Sequence, residues 1–328
     1  GERESGEREM GGNTSRMVGA HFTFYIGEAS FIGKRKYNED HVIVRIDLPP
    51  KEKKKKLAEN PSIFAVCDGH CGSRCSNYLR NHLPDVIRSH PKYGEEDAWE
   101  QVLLESFKEC DQQFLRKSIK KKLKDGSTCV LVVIHGTKCV CANVGDSRGI
   151  MILNGDVQLF LFIIFFFSHK IQQKKPIDLS SDHKPEVPSE KERIVKFGGH
   201  VKNGRIMGDK LSVSRSFGDL DFKDKETLEE NMVSAVPDIR SFEITKECHM
   251  IVLACDGIWD VFTSEEVSDF VKEESEFELA ISEGLDPSED NYDLCNRLAE
   301  RAEKKGSTDN LSVVVIGFDH NKTKVGRI

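Results

Sequence analysis

The sequence predicts an α+β fold whose strands pair antiparallel, and three observations carry that expectation. Apolar, largely β-branched runs of strand length recur, at residues 63–67, 126–134, 139–144, 250–255 and 311–318. Two of them, 126–134 and 139–144, flank His135-Gly136-Thr137 closely enough to form a hairpin. Segments of helical period lie between the strands, at 74–90, 96–123, 189–197 and 292–305, several with capping residues at their ends.

Taken in order, residues 22–26 read as a first strand, 33–40 as a charged polar link, and 41–46 as a second strand carrying Val42, Ile43 and Val44. The buried run 63–67 turns charged at once at Asp68, Gly69 and His70. A carboxylate at the mouth of a buried strand is costly unless a cation or a donor meets it. Gly69 has no Cβ, so its carbonyl can approach a ligand closely, and His70 titrates near neutral pH. The 96–123 helix repeats Val102, Leu103, Phe107 and Phe114 on one face. After the hairpin the return strand ends in Gly145-Asp146-Ser147-Arg148, residues 149–153 form another strand, and Asn154-Gly155 signals a tight turn. The 189–197 helix is expected to be capped by Ser189, with Glu192 completing a capping box and Gly198-Gly199 ending it. Residues 211–216 read as a strand running into Phe217-Gly218-Asp219, and 250–255 as a strand ending in Asp256-Gly257. Thr263 caps a helix beginning at Ser264, with Glu266 in the box position. The 292–305 helix places Leu294, Leu298 and Ala302 on one face, and Asp309-Asn310 precede the last strand.

The chain has 328 residues, a length that leaves one large domain or two open. A charged fraction of 31% beside 38% hydrophobic residues fits a soluble globular protein. The formal net charge of -7 argues against nucleic acid as the main partner, though a bound metal can invert local charge and permit phosphate chemistry. Of ten cysteines, Cys67, Cys129, Cys139, Cys141 and Cys255 sit in strand-like runs, which suits buried thiols in a reducing compartment, cytoplasmic or nuclear. Cys67, Cys71 and Cys75 are spaced four apart, but no CxxC pair or second ligand half accompanies them, so a zinc site is set aside.

The first 20 residues are charged and Gly/Ser-rich and are expected to be disordered, and 321–328 are read as a C-terminal tail. If Met10 were the initiator, Gly11 with Ser15 would fit a myristoylation pattern and give membrane contact. The basic run at 51–56 reads as a solvated loop before a nuclear address. The oddest stretch is LFLFIIFFF at 159–167, far short of the roughly 20 apolar residues of a membrane helix. No transmembrane segment is expected. A buried strand, an exposed aggregation-prone patch and a translated intron end remain open for it; transcripts that always carry it as coding sequence would sink the third.

Asp68, Asp146 and Asp256 follow strands, whereas Glu39-Asp40 and Asp309 precede them. In an antiparallel sheet the end of one strand lies beside the start of its neighbour, so these acids can gather on one edge. Clustered carboxylates resist ionising. Hard divalent cations resolve the conflict, and two of them about 3.5–4 Å apart make a phosphoryl-hydrolysis site.

Here the chain resembles the metal-dependent serine/threonine protein phosphatases of the PPM (type 2C) family. The residues that carry the resemblance are Arg35-Lys36-Tyr37-Asn38-Glu39-Asp40, Asp68-Gly69-His70, Gly126-Ser127-Thr128, Gly145-Asp146-Ser147-Arg148, Asp182-His183-Lys184-Pro185, Leu211 to Asp219, Asp256-Gly257-Ile258-Trp259-Asp260 and Gly306-Ser307-Thr308-Asp309-Asn310. They occur in the family's order over residues 22–318. The resemblance implies a central antiparallel β-sandwich flanked on both faces by helices, in a single catalytic domain at 21–320 with a flap at about 182–207. It implies two Mn²⁺ or Mg²⁺ ions, with Asp68 bridging both, Asp256 and Asp309 on the first, Glu39 and the Gly69 carbonyl on the second, and Asp40 acting through a water. Asp146 and Asp260 match a weaker third metal, Arg35 the phosphate fork, and His70 the acid that protonates the departing Ser or Thr oxygen; Asp219 is kept as a supporting residue. The attacking water is metal-activated and no phosphoenzyme forms. Phosphorylated proteins are the implied substrates and a monomer the implied state. Cys71 stands where the family often has Gly or Ala, and the 159–175 insert precedes the flap. That insert motivates the alternative, a catalytically impaired binding protein on the same fold; a nuclease is disfavoured by the acidic balance.

Overall fold

A computed structural model describes residues 12–19, 21–52, 55–154, 175–208, 210–224 and 231–321. The chain runs β1 (Gly12–Val18), β2 (Thr23–Phe31), β3 (His41–Arg45), β4 (Ser62–Cys67), β5 (Gly69–His70), α1 (Arg74–Ser89), a 3-10 turn at Glu96–Ala98 and α2 (Trp99–Lys121). It continues through β6 (Gly126–Ser127), β7 (Cys129–His135), β8 (Lys138–Val144), β9 (Arg148–Leu153), β10 (Ile177–Asp178), α3 (Pro188–Lys196), β11 (Val201–Lys202), β12 (Arg205–Ile206) and β13 (Phe217–Gly218). The last third holds β14 (Asp238–Glu243), β15 (Cys248–Ala254), α4 (Asp256–Trp259), α5 (Ser264–Glu274), α6 (Phe277–Ser282), α7 (Ser288–Lys305) and β16 (Leu311–Asp319).

Two antiparallel sheets form the centre, in the orders β1-β2-β16-β15-β9-β10 and β14-β8-β7-β4-β3. Side-chain alternation explains why they stack. On β4, Phe64 and Val66 pack with Ile26, Val314, Ile316 and Leu253 of the other sheet. The intervening Ile63, Ala65 and Cys67 pack with Leu79 and Leu83 of α1 and Phe107 and Phe114 of α2. Across the sandwich, Tyr25, Val252, Val313 and Val315 meet Leu294 and Leu298 of α7 and Val267 of α5. Both faces of each central strand are thus covered, which accounts for the near-continuous apolar runs. The expected α-β-β-α layering is present.

Several expectations are corrected. Residues 12–18, placed with a disordered tail, form β1 and pair in register with β2, Ser15 opposite Ile26 and Val18 opposite Thr23. The 126–134 run is two strands, because Thr128 turns its amide to the Asp68 carbonyl at 2.9 Å and the chain changes sheet there. Ser189 is not a cap. Pro188 opens α3 one residue earlier with Val187 at the N-cap, since its fixed φ and missing N–H suit the first helical position. Residues 211–216 form only isolated bridges, Ile206 with Leu211 and Arg215 with Ser234. The buried hydroxyls of that stretch bond elsewhere, Ser214 Oγ to the His183 carbonyl at 2.9 Å and to Glu190 at 2.7 Å. By contrast, Thr263 and Glu266 make the expected capping box on α5. Met10-Gly11, Gly155, 159–167 and 322–328 lie outside the described residues.

The flanks of the apolar insert are described. Ile177 pairs with Met151 and Asp178 with Ile150, so the chain leaves from β9 and returns beside it. A variant lacking residues 157–173 closes the same hairpin with a shorter loop, favoured by roughly 1 kcal/mol of closure entropy. It is expected to fold with an equal or higher melting temperature in thermal unfolding. A variant that melts several degrees lower would make the segment part of the core.

Candidate active site

Strand register gathers the acids. His41 lies opposite Cys67, so Asp40, just before β3, sits beside Asp68, just after β4. Ala254 lies opposite Val313, which brings Asp256 next to Asp309 and Asn310, and Leu311 lies opposite Phe31, which brings in the loop bearing Arg35. Cys129 opposite Val144 sets Asp146 on the same edge, and Gly69 opposite Ser127 ties the following turn to it.

The result is a mutually repelling cluster. Burial, then the charges of Asp40, Asp256, Asp146 and Asp309, holds the Asp68 carboxyl well above the usual carboxylate range. Burial first, then Asp146, Asp260 and Asp309, pushes Asp256 up to about 8 against the opposing Lys184. Burial also pushes Asp40 up to about 6 although Ser312 Oγ donates to it at 2.8 Å. Asp260 is raised by burial, with Lys184 opposing and Asp146 adding.

Two cations already meet the cluster. Arg35 Nη2 donates to Asp309 Oδ2 at 2.5 Å, and the Lys184 ammonium donates to Asp146 Oδ2. Among the described residues no three His, Cys, Asp or Glu side chains close around one point in this arrangement. The donor set nonetheless fits hard divalent cations: it is all oxygen, Asp40, Asp68 and Asp256 resist ionising together, and the buried Asp40 Oδ1 has no hydrogen-bond partner. Gly69 is required by its surroundings, because a Cβ there would stand 2.2 Å from the Glu39 carbonyl oxygen. Cys67 and Cys75 are buried and Cys71 is exposed, and among the described residues no three His, Cys, Asp or Glu side chains, these thiols included, gather to hold a metal.

Each site residue expected from the sequence has a defined place. Asp40, Asp68, Asp146, Asp256 and Asp309 share the cluster, and Asp260 joins it through Asp256 and Asp146. The Glu39 backbone is pinned by Ser76 Oγ donating to its carbonyl at 2.5 Å. His70 lies at the rim, with its Nε2 2.7 Å from Asp219 Oδ2. Burial lowers the His70 imidazole, but the charge and hydrogen bond of Asp219, with Asp146 and Glu39 adding, carry it above its ordinary value.

Two residues passed over as site residues matter for the geometry. Asn310 accepts from the Glu39 amide at 2.9 Å and donates to the carbonyls of Ile32 and Tyr37 at 2.9 and 3.0 Å, fixing the loop that carries Arg35 and Glu39. Its signal was its place between a strand-opening acid and an apolar strand. Lys184 is the cation facing Asp146; it lies in the Asp182-His183-Lys184-Pro185 motif, but nothing in the sequence signals which acid it meets. Beyond the cluster, α3 is anchored through buried Glu190. Burial raises this carboxyl, but bonds from Arg215, Arg193 and Ser214 bring it down to about 2.

The chain is similar to known proteins over most of its length. The protein phosphatase 2C family model matches residues 29–311. The integrin-linked kinase-associated serine/threonine phosphatase 2C of Homo sapiens is 35% identical over 305 residues, covering 90% of this chain and 72% of that protein. Protein phosphatase 2C homolog 2 of Hypocrea jecorina is 33% identical, covering 91% and 63%. The crystal structure of serine-threonine phosphatase 2C from Toxoplasma gondii shares the fold at a TM-score of 0.69 and 22% identity, covering 94% of this chain and 99% of that one. An acid-lined sandwich edge, a family match across most of the chain and relatives at this identity lead to one assignment: the chain belongs to the protein phosphatase 2C family of serine/threonine protein phosphatases.

Proposed function

We propose that this chain hydrolyses phosphoserine and phosphothreonine esters in proteins with a pair of Mn²⁺ or Mg²⁺ ions. The observation that carries the reading is the convergence of strand-terminal carboxylates from both sheets around Asp68. Asp68 would serve both ions, Asp256 and Asp309 one, and Glu39 with the Gly69 carbonyl the other. Asp40 would act through a water, and Asp146 with Asp260 would hold a weaker third ion. When bound, the pair supplies a water of lowered pKa and polarises the phosphoryl oxygens.

The chain's own groups do the rest. Arg35, half exposed at the rim, offers a planar fork to the phosphate oxygens. His70 gives a proton to the departing Ser or Thr oxygen, a poor leaving group when unprotonated. No side chain needs to be phosphorylated. Among the described residues no helix is long and apolar enough to cross a membrane.

The test is phosphopeptide hydrolysis with and without Mn²⁺, beside a nucleic-acid substrate. Mn²⁺-dependent release of phosphate from the peptide alone is expected. Binding of the phosphopeptide without turnover would favour the impaired, binding-only reading, and cleavage of the nucleic acid would favour a nuclease. His70→Ala is expected to cost about 10²-fold on phosphoserine, within the range for general acids, and far less on an activated aryl phosphate. Equal losses on both would remove His70 from the acid role.

A further inference from the structure

The small sheet β13-β6-β5 has a register with one consequence. Gly126 is paired with His70 on one side and with Gly218 on the other. The residue after Gly218 is Asp219, and its carboxylate reaches past Gly126 to His70 Nε2 at 2.7 Å. A Cβ on Gly126 would stand 2.2 Å from both Asp219 Oδ2 and His70 Nε2, so the middle strand must carry glycine there for the two to meet.

Asp219 is held for this contact. It is 3% exposed and adopts a left-handed backbone, φ +49°, which few residues other than glycine, Asn and Asp accept. Its amide donates to the Asp125 carbonyl at 3.1 Å, and Ser216 Oγ donates to its Oδ2. The preceding Gly218 amide donates to Asp111 Oδ1 at 2.8 Å. Lys223 Nζ then closes the turn, donating to Asp111 Oδ2 at 2.8 Å and to the Ser216 carbonyl at 2.9 Å. The turn is therefore fixed to α2 independently of His70.

We propose that Asp219 is the positioning residue of His70, keeping a proton on Nε2 so that Nδ1 is the nitrogen that serves the substrate. The inference rests on the reading of His70 as the acid. In that step the Nδ1–H proton of the imidazolium passes to the Ser or Thr oxygen as its bond to phosphorus breaks. The neutral ring left behind still donates Nε2–H to Asp219. The carboxylate takes no proton and touches no substrate.

Asp219→Asn keeps the size of the side chain, and Asn tolerates the left-handed backbone. In the Mg²⁺-loaded protein labelled with ¹⁵N-histidine, His70 is expected to show the Nε2–H tautomer, identified by comparison with His70→Gln. In Asp219→Asn that pattern is expected to shift. The kcat for a phosphopeptide is expected to fall roughly 10- to 100-fold, the scale of lost supporting hydrogen bonds at active sites, with KM nearly unchanged. Activity on an aryl phosphate should change by less than about threefold, and Asp219→Asn should add nothing in the His70→Ala background. An unchanged His70 ring pattern, or equal losses on both substrates while His70→Ala still discriminates between them, overturns the inference. If His70→Ala itself fails to discriminate, the acid reading falls, and the ring pattern alone decides whether Asp219 holds the imidazole. Ser216→Ala, which strips one donor from Asp219 without altering the turn residue, should move the same readouts in the same direction if Asp219→Asn does not fold.

Discussion

Asp68→Asn is expected to abolish turnover and, in chelator, to raise the melting temperature. Both effects have one cause. Asp68 stands among Asp40, Asp256, Asp146 and Asp309, which together with burial hold its carboxyl well above the usual range. A carboxyl raised on folding favours the folded state least when pH is high enough for it to ionise, so its charge is a burden near neutral pH that disappears in acid. Asparagine keeps the shape and removes the charge. The gain is expected to be about 2 °C, on the order of 1 kcal/mol for a chain this size, in thermal unfolding at pH 7.5 with chelator. Turnover of a phosphopeptide should fall at least about 10³-fold, the cost of losing one preorganised electrostatic group at a reaction centre. With Mn²⁺ the order reverses: the parent is stabilised by mass action and the variant gains little. Activity above about a hundredth of the parent's, or a lower melting temperature in chelator, would contradict the carboxylate cluster as the reaction centre.

Lys223→Met is expected to be among the most destabilising single changes in the chain. Lys223 and Asp111 form a buried pair, with side chains 2% and 8% exposed and 2.8 Å between Nζ and Oδ2. Burial raises the Asp111 carboxyl, and Lys223, by charge and hydrogen bond, holds it partly down. Removing the ammonium leaves a buried acid with one backbone donor, at a cost of roughly 3–5 kcal/mol in urea unfolding. The sign with pH follows. The folded-state pKa of Asp111 lies above the unfolded value and rises further in the variant, so the deficit grows as pH climbs through it. The variant should therefore lose less stability at pH 5.5 than at pH 7.5. Asp111→Leu combined with Lys223→Met should recover most of the loss, because apolar replacement of both partners of a buried pair is often neutral. A loss below about 1 kcal/mol, or one that is the same at both pH values, would show that the pair is solvated.

What could be read from the sequence follows from which forces are local. The acids at strand ends were legible because antiparallel pairing turns sequence position into spatial position: Asp40 and Asp68 meet since His41 opposes Cys67. Thr263 was legible as a cap because its partner is three residues away. Ser189 misled because the same spacing was overridden by its neighbour Pro188. β1 was hidden, its composition being polar and its strand character coming from the partner β2. Asn310 and Asp219 act on groups 271 and 149 residues away, and no window along the chain contains both ends of such a contact.

The place of β16 carries a consequence for how the protein comes into being. β16 is an interior strand, lying between β2 and β15, yet it is the last one made among the described residues. While the chain is being synthesised, β2 waits for a neighbour that follows it by nearly the whole chain, and the helix layer over that sheet has an incomplete floor. Domains of such long-range pairing fold slowly and late. The carboxylate edge has the same timetable, because Asp309 arrives with β16. A growing chain therefore displays the Asp68 turn early but assembles no complete reaction centre until β16 is in place, and a product ended before β16 lacks both the middle of that sheet and Asp309.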